Sequence, residues 1–238
     1  MSAVVRTEDL TRVLPGEVPV TLVEGISLEI EKGEFVAIMG PSGSGKSSLL
    51  YLLGLLDMPT SGRIWIDGAD TAGLDEDGLA NLRLTKLGFV FQFHFLLAEF
   101  SALDNVCLPM RRLGRLSKDE IAEKGLRLLD SFGLKKHAAK RPSQMSGGER
   151  QRVAVARSLA NDPVIILADE PTGSLDTKAS ANLRAIFQDL AQRENRTIIV
   201  VTHDPFFAQA ADRRIFIVDG RLELPEKAAQ LFDIGGGP

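Results

Sequence analysis

A single cysteine, Cys107, is present among 238 residues. It excludes an internal disulfide framework and suits a reducing compartment. It sits within the apolar run Val106-Cys107-Leu108, so it is expected to be a packed core thiol. No apolar run approaches the roughly 20 residues needed to cross a bilayer, and no signal-peptide pattern opens the chain. The expectation is an intracellular protein that does not itself span a membrane. An excess of positive charge is also missing. The formal net charge is −4, which argues against a nucleic-acid surface as the main role. The short basic clusters (Arg111-Arg112 with Arg115, Lys135-Lys136, Lys140-Arg141) read as solvated faces. No internal repeat is visible, so at most one nucleotide module is expected. The balance of 44% hydrophobic and 25% charged residues is that of an ordinary globular chain able to bury a full core.

The most specific stretch is Gly40-Pro41-Ser42-Gly43-Ser44-Gly45-Lys46-Ser47, which fits G-x-x-x-x-G-K-[ST]. An apolar run of strand length, 35–39, precedes it, and 48–56, starting at Ser48, reads as a buried helix. Strand, glycine-rich turn and helix are the context a phosphate-binding loop requires. Glycines let consecutive backbone N–H groups curl around phosphate oxygens, and the helix N-terminus adds partial positive charge. Lys46 is expected on the β- and γ-phosphates, and the Ser47 hydroxyl on Mg²⁺.

A buried strand, 164–168, ends in Asp169-Glu170. Two carboxylates there suit a metal-dependent nucleotide hydrolase: Asp169 to hold Mg²⁺, directly or through water, and Glu170 to polarise the attacking water. Ser146-Gly147-Gly148-Glu149-Arg150-Gln151 opens a helical run over 152–160. It presents either an anion-binding helix N-terminus or simple capping.

Residues 3–35 read as strands, with 10–19 as a loop or an edge because it holds two prolines and a glycine. Asp67-Gly68 and Asp219-Gly220 are hairpin signals; Trp65, in the strand before the first, is expected to pack. A strand is expected over 87–93. From about 95 to 160 the pattern turns helical, with a capping box at Ser117 and Glu120. A helix over 178–193, a strand 197–201, a short helix 205–211 and strands 214–218 and 222–224 follow. Strands alternating with helices imply an α/β fold with a mostly parallel sheet covered on both faces, with an inserted helical subdomain. Residues 1–225 form one domain, and 226–238 are a tail expected to fray.

Taken together and in this order, the phosphate loop, the SGGERQ segment and the Asp-Glu strand end resemble the ATP-binding subunit of an ABC transporter over about residues 4–224. The resemblance implies an N-terminal antiparallel β-subdomain, and Mg²⁺-dependent hydrolysis of ATP with catalytic roles for Glu170, His203 and Gln92. His203 matches the switch histidine facing the γ-phosphate, and Gln92 the glutamine that contacts Mg²⁺ and senses the permease. Ser174-Leu175-Asp176 matches a loop that communicates across a dimer. Ser146, Gly147 and Gly148 would bind the γ-phosphate of ATP held by a second copy, so a head-to-tail homodimer is implied. His94 and His137 receive no catalytic assignment, and His137, among lysines, is expected to be exposed.

Residues 88–100 look like those of the lipoprotein-releasing Lol group. That group and the macrolide-exporter-like ATPases also share the segment 167–173. The implied setting is peripheral, on the cytoplasmic face of the inner membrane, with a permease contacting the region from Gln92 to Phe100. Phe93, Phe95, Leu96 and Leu97 form either a groove for a permease helix or a core edge under the helical subdomain. Lipoprotein release leads, with macrolide-type export as the alternative. A soluble ABC ATPase of repair or translation is a further alternative of another class, although the tandem modules or long coiled coils usual there are not visible. Most relatives stack adenine on an aromatic residue near 11–18. Here that loop offers Val13 and Leu14, and no aromatic residue precedes Phe35, which implies weaker base discrimination.

Overall fold

The computed structural model describes residues 3–224; the expected tail lies outside them. Two sheets organise the chain. The smaller is antiparallel, order β2-β1-β4-β5, built from β1 (Ala3–Leu14), β2 (Val20–Glu31), β4 (Ser61–Ile66) and β5 (Ala69–Asp70). The larger has six strands in the order β10-β9-β3-β8-β7-β6. Its members are β3 (Phe35–Met39), β6 (Leu87–Phe91), β7 (Ile165–Asp169), β8 (Thr197–Val201), β9 (Arg213–Val218) and β10 (Arg221–Glu223). β9, β3, β8, β7 and β6 run parallel, and β10 returns antiparallel through the turn at Asp219-Gly220.

The period-two geometry of strands explains the double-sided core. Val36 and Ile38 of β3, Ile199 and Val201 of β8, and Ile165 and Leu167 of β7 join one cluster with helix α1 (Lys46–Leu53) and the antiparallel sheet. The alternate residues Phe35, Ala37, Ile198, Val200, Ile166 and Ala168 face the other way. There they meet Leu183, Phe187 and Leu190 of α6 (Thr177–Gln192) and Phe207 of α7 (Pro205–Ala210).

Between β6 and β7 lie α3 (Ala102–Leu113), α4 (Lys118–Ser131) and α5 (Gly147–Ser158). The capping box at Ser117 and Glu120 forms. Ile121 and Leu129 are buried, and Gly125 lets α4 approach Cys107 and Leu103 of α3 too closely for any larger residue. Cys107 is buried as expected, and burial pushes its thiol pKa up.

Four expectations are corrected. β1 continues to Leu14 and is an interior strand between β2 and β4, because Leu10 is fully buried and outweighs the turn residues that follow at 15–19. β6 stops at Phe91 rather than at residue 93, where the chain leaves the sheet beside β7. A helix not expected from sequence, α2 (Glu76–Lys86), precedes β6; it buries only Leu79, so its apolar periodicity is weak. His137 is half-buried rather than exposed, its Nδ1 2.7 Å from Glu149 Oε1. Trp65 packs under the Arg6 guanidinium, 5.0 Å from the ring centre.

Candidate active site

The loop between β3 and α1 takes the conformation its glycines allow. Gly45 has φ 96, and a Cβ there would fall 2.1 Å from the Leu22 carbonyl oxygen. Only glycine accommodates both the left-handed backbone and that approach. The first turn of α1 therefore starts at Lys46, directly behind the loop. Lys46 folds back over the loop, its Nζ donating to the Gly40 and Pro41 carbonyls at 3.0 and 2.6 Å. Burial draws this ammonium below the ordinary lysine range, and the Glu170 and Asp169 carboxylates oppose that shift.

Asp169 ends β7 beside this loop. The Ser47 hydroxyl donates to Asp169 Oδ1 at 2.9 Å, and the Tyr51 hydroxyl donates to Oδ2 at 2.9 Å. Burial first, then Asp169, pushes the Tyr51 phenol up to about 12, so it is a hydrogen-bond donor at neutral pH. Ser47 and Tyr51 are four residues apart and share one face of α1. Tyr51 carries no assignment from sequence; its position one helical turn after the phosphate-loop serine is the available signal.

Glu170, the next residue, turns the chain out of the strand with φ 44. A left-handed glutamate costs about 1–2 kcal/mol. Its N–H donates to the Val201 carbonyl at 2.9 Å, and its own carbonyl accepts from Gly173 N–H at 3.1 Å. The carboxylate lies against the segment that follows β8, with Glu170 Oε2 2.9 Å from His203 Nδ1.

Gln92 lies just beyond β6. Its carbonyl accepts from the Ser174 hydroxyl at 3.1 Å. Its side chain packs on Gly173, where a Cβ would lie 2.7 Å from Gln92 Nε2. Lys46, Ser47, Asp169, Glu170 and His203 are thus gathered at the C-terminal ends of the parallel strands, where such sheets place ligands. Gln92 stands at the rim, joined to the loop that follows Glu170.

Ser146 caps α5. Its hydroxyl accepts from Glu149 N–H at 3.3 Å, and Glu149 reaches back to Ser146 N–H at 2.7 Å. That backbone N–H is the main reason the Glu149 carboxyl is held below its ordinary range, with His137 and Lys140 adding to it. Ser146, Gly147 and Gly148 open onto a concavity of about 410 Å³ shared with Ser174, Leu175 and Asp176. No residue of the phosphate loop lines it. The residues expected from sequence to bind nucleotide therefore fall in two separate places on one chain.

Two residues to which the sequence assigns no such role, Gln151 and Arg157, tie α5 to the strand ends and the segment after β6. Gln151, 1% exposed, donates to the Pro171 and Phe91 carbonyls at 2.9 and 3.2 Å. Arg157 donates to the carbonyls of His94 and Phe95 at 2.8 and 2.7 Å. His94 Nε2 is sealed from solvent with no hydrogen bond of good geometry. Burial and Arg150 hold its pKa down, and the Gly147 backbone, which favours the protonated ring, opposes them. Gln151 lies in the SGGERQ segment and His94 in the stretch 88–100, but the spacing of neither reveals these contacts.

The sequence profile described as "ABC transporter" matches residues 23–173. The chain belongs to that family. It is the ATP-hydrolysing subunit of an ABC transporter. It is 51% identical over 202 residues to the lipoprotein-releasing system ATP-binding protein LolD 1 of Chlorobium chlorochromatii (strain CaD3), covering 85% of this chain and 82% of that one. It is 48% identical over 215 residues to the macrolide export ATP-binding/permease protein MacB of Syntrophobacter fumaroxidans (strain DSM 10017 / MPOB), covering 90% of this chain and 30% of that longer protein. A solved dimeric structure of a post-hydrolysis state of the ATP-binding cassette MJ0796, bound to ADP and Pi, superposes with a TM-score of 0.86 at 42% identity, covering 92% of this chain and 97% of that one. For the ABC ATPase described here, the P-loop α/β fold expected from sequence is the fold observed.

Proposed function

We propose that this ABC ATPase works as a head-to-tail homodimer on the cytoplasmic face of the inner membrane, powering a permease that releases lipoproteins. The observation that carries the two-subunit reading is the separation of the half-sites. One chain offers Lys46, Ser47, Asp169 and Glu170 in one place and Ser146 to Gly148 in another. A second copy, facing the first, supplies the missing half at each nucleotide. The dimeric cassette of the same fold supports this arrangement.

In this reading the loop from Gly40 to Ser48 holds the phosphates of ATP through backbone N–H groups and Lys46. Mg²⁺ fits the donor set. Ser47 and Asp169 bring a hydroxyl and a carboxylate within 2.9 Å of each other, and hard oxygen ligands with one carboxylate suit this ion beside phosphates; Gln92 adds an amide oxygen at the rim. When bound, the ion neutralises developing charge on the phosphates. Glu170, held by its contact with His203, orients and deprotonates the attacking water. Closure of the partner's Ser146-Gly147-Gly148 over the γ-phosphate excludes bulk water. Loss of that phosphate removes the contact, and the difference in affinity between closed and open states drives the permease.

The permease contact falls on the segment from Gln92 to Phe100. Phe93 and Phe95 are each 65% exposed and Leu97 44%, while Leu96 alone packs toward the helical core. Among the described residues no helix is long and apolar enough to cross a membrane, so the membrane step needs that partner. The lipoprotein cargo is taken from LolD-type relatives at 44–51% identity. Macrolide-type export would use the same chemistry.

Glu170→Gln tests the mechanism. The variant should lose turnover at least about a hundredfold and accumulate as an ATP-bound dimer in analytical ultracentrifugation. Turnover at the parent rate would remove Glu170 as the base. Co-purification of the full chain from membranes tests its cellular role. An associated lipoprotein-releasing permease is expected, and ribosomes or DNA in its place would overturn that role.

A further inference from the structure

One buried amide joins the ends of two neighbouring strands. Gln151, one turn after Gly147 on α5, donates from Nε2 to the Phe91 carbonyl at 3.2 Å and to the Pro171 carbonyl at 2.9 Å. Phe91 ends β6 and immediately precedes Gln92, and Pro171 immediately follows Glu170 beyond β7. β6 and β7 pair in parallel, so the amide bridges the two chains as they leave the sheet. Both partners are acceptors, and the nitrogen must therefore face them. The oxygen is left sealed from solvent and, among the described residues, without a hydrogen-bond partner. A buried acceptor left unpaired is costly, so packing alone would be better served by an apolar side chain. What this glutamine supplies is the pair of donated bonds.

We propose that Gln151 is a positioning residue for ATP hydrolysis: its hold on the Pro171 carbonyl fixes the turn that aims the Glu170 carboxylate. The inference rests on the reading of Glu170 as the base, given above. Glu170 sits with φ 44, and a backbone in a sparsely populated region persists when its surroundings over-determine it. Glu170 is anchored on both sides, its N–H on the Val201 carbonyl and its carbonyl on the Gly173 N–H. Pro171 has no N–H, so its carbonyl is the one backbone group by which a hydrogen bond can hold it. Gln151 takes that carbonyl, and Pro171 is buried. Without this bond the turn can relax toward an ordinary backbone and carry the carboxylate off its target. The contacts of Lys46 with the phosphate loop and of Ser47 with Asp169 do not involve Gln151, so nucleotide binding is left as it was. The bond to Phe91 ties the same amide to the residue before Gln92, and the two loops share one anchor.

The test compares Gln151→Met, which keeps the length of the side chain without the donors, with Gln151→His, which keeps a ring N–H at similar reach. Each is made in the full chain, alone and together with Glu170→Gln. Steady-state ATPase gives kcat and KM, single-turnover hydrolysis gives the residual rate of the Glu170→Gln chains, and equilibrium dialysis gives MgADP affinity. For Gln151→Met, kcat should fall about tenfold, as for a small misplacement of a catalytic group. KM and MgADP affinity should stay within about twofold of the parent, because the lost interaction belongs to the transition state. In the Glu170→Gln chain the same substitution should have no further effect, since residues that act as a unit are not additive. Gln151→His should turn over faster than Gln151→Met. Should Gln151→Met not fold, Gln151→Glu, which keeps the shape and presents a carboxylate, takes its place with the same expectations. Parent kcat in Gln151→Met would overturn the proposal, as would a Gln151→His chain no faster than it. So would a loss of the same size in the Glu170→Gln chain, or a loss of MgADP affinity in step with kcat, either of which would make Gln151 a residue of the fold alone. If the Glu170→Gln chain itself turns over at the parent rate, the reading of Glu170 as the base fails first and this inference falls with it.

Discussion

Tyr51 donates its hydroxyl to Asp169 Oδ2 at 2.9 Å while Ser47 holds Oδ1 at the same distance. The carboxylate that ends β7 is therefore clamped by two residues one turn apart on α1, and its plane is set before any ligand arrives. Groups that orient a metal-binding carboxylate commonly change metal affinity about tenfold when removed. Tyr51→Phe should raise the Mg²⁺ concentration for half-maximal ATPase by about that factor. Stability should fall by about 1 kcal/mol, the net worth of one hydrogen bond. A Mg²⁺ titration of ATPase beside urea unfolding checks both, and an unchanged Mg²⁺ requirement would show that Ser47 alone suffices.

Gly173 gives Gln92 its place. A Cβ there would lie 2.7 Å from Gln92 Nε2 and 3.0 Å from its Cδ. The obstacle is the end of a flexible side chain, so Gly173→Ala should fold normally and turn Gln92 aside. Misplacing a group at the site by about an ångström costs up to about a hundredfold in rate. The expected outcome is turnover lower by about ten- to a hundredfold with MgADP affinity unchanged. A fall in affinity of the same size would mean that the substitution disturbs the phosphate loop instead.

The parts of the site legible in the sequence are those written in contiguous residues. A phosphate loop, a strand ending in Asp169-Glu170 and a capped Ser146-Gly147-Gly148 each require a fixed local spacing, and each keeps that spacing in the structure. What escapes depends on tertiary approach. Gln151 acts on carbonyls 60 and 20 residues away, and Arg157 on carbonyls 62 and 63 residues away. No local pattern encodes such pairs. Helix α2 carries end signals instead of periodicity: Asp75 caps it, Glu76 and Asp77 fill its first turn, and Arg83 and Lys86 its last. These complement the helix dipole and are the signals by which it can be found. In β1, Pro15 and Gly16 argue for a loop from residue 10 onward, yet the buried Leu10 holds the segment in the sheet.

The β1–β2 turn bears on base selectivity. β2 lies against the phosphate loop, with the Leu22 carbonyl pressed on Gly45, so the end of this hairpin lies beside the proposed nucleotide site. Its exposed apolar residues there are aliphatic: Leu14, Val18 and Val20. Aliphatic contact supplies area without the ring-on-ring stacking that alanine substitution values at about 1–3 kcal/mol per base in nucleic-acid complexes. Comparable KM values for ATP and GTP are expected in steady-state hydrolysis. Leu14→Tyr should lower KM for both purines. A strong preference of the parent for ATP would mean that the base is read elsewhere.

Acid sensitivity should appear at the first turn of α5. The Ser146 backbone N–H, aided by His137 and Lys140, stabilises the Glu149 carboxylate and lowers its pKa below 4.5. A carboxylate with a depressed folded pKa contributes stability that is fully present above the unfolded value. That contribution is lost as pH falls below 4.5 and through the folded pKa. Glu149→Gln keeps an acceptor for the Ser146 N–H but no longer titrates. Its stability should therefore fall less steeply than the parent's below about pH 4.5, while above about pH 6 the two should differ by a constant offset. Thermal unfolding across about pH 3 to 7 in matched ionic strength, a range bracketing the ordinary glutamate pKa, measures the two slopes. Identical slopes would show that Glu149 binds its proton equally well folded and unfolded, and that the cap holds Ser146 through geometry without help from charge.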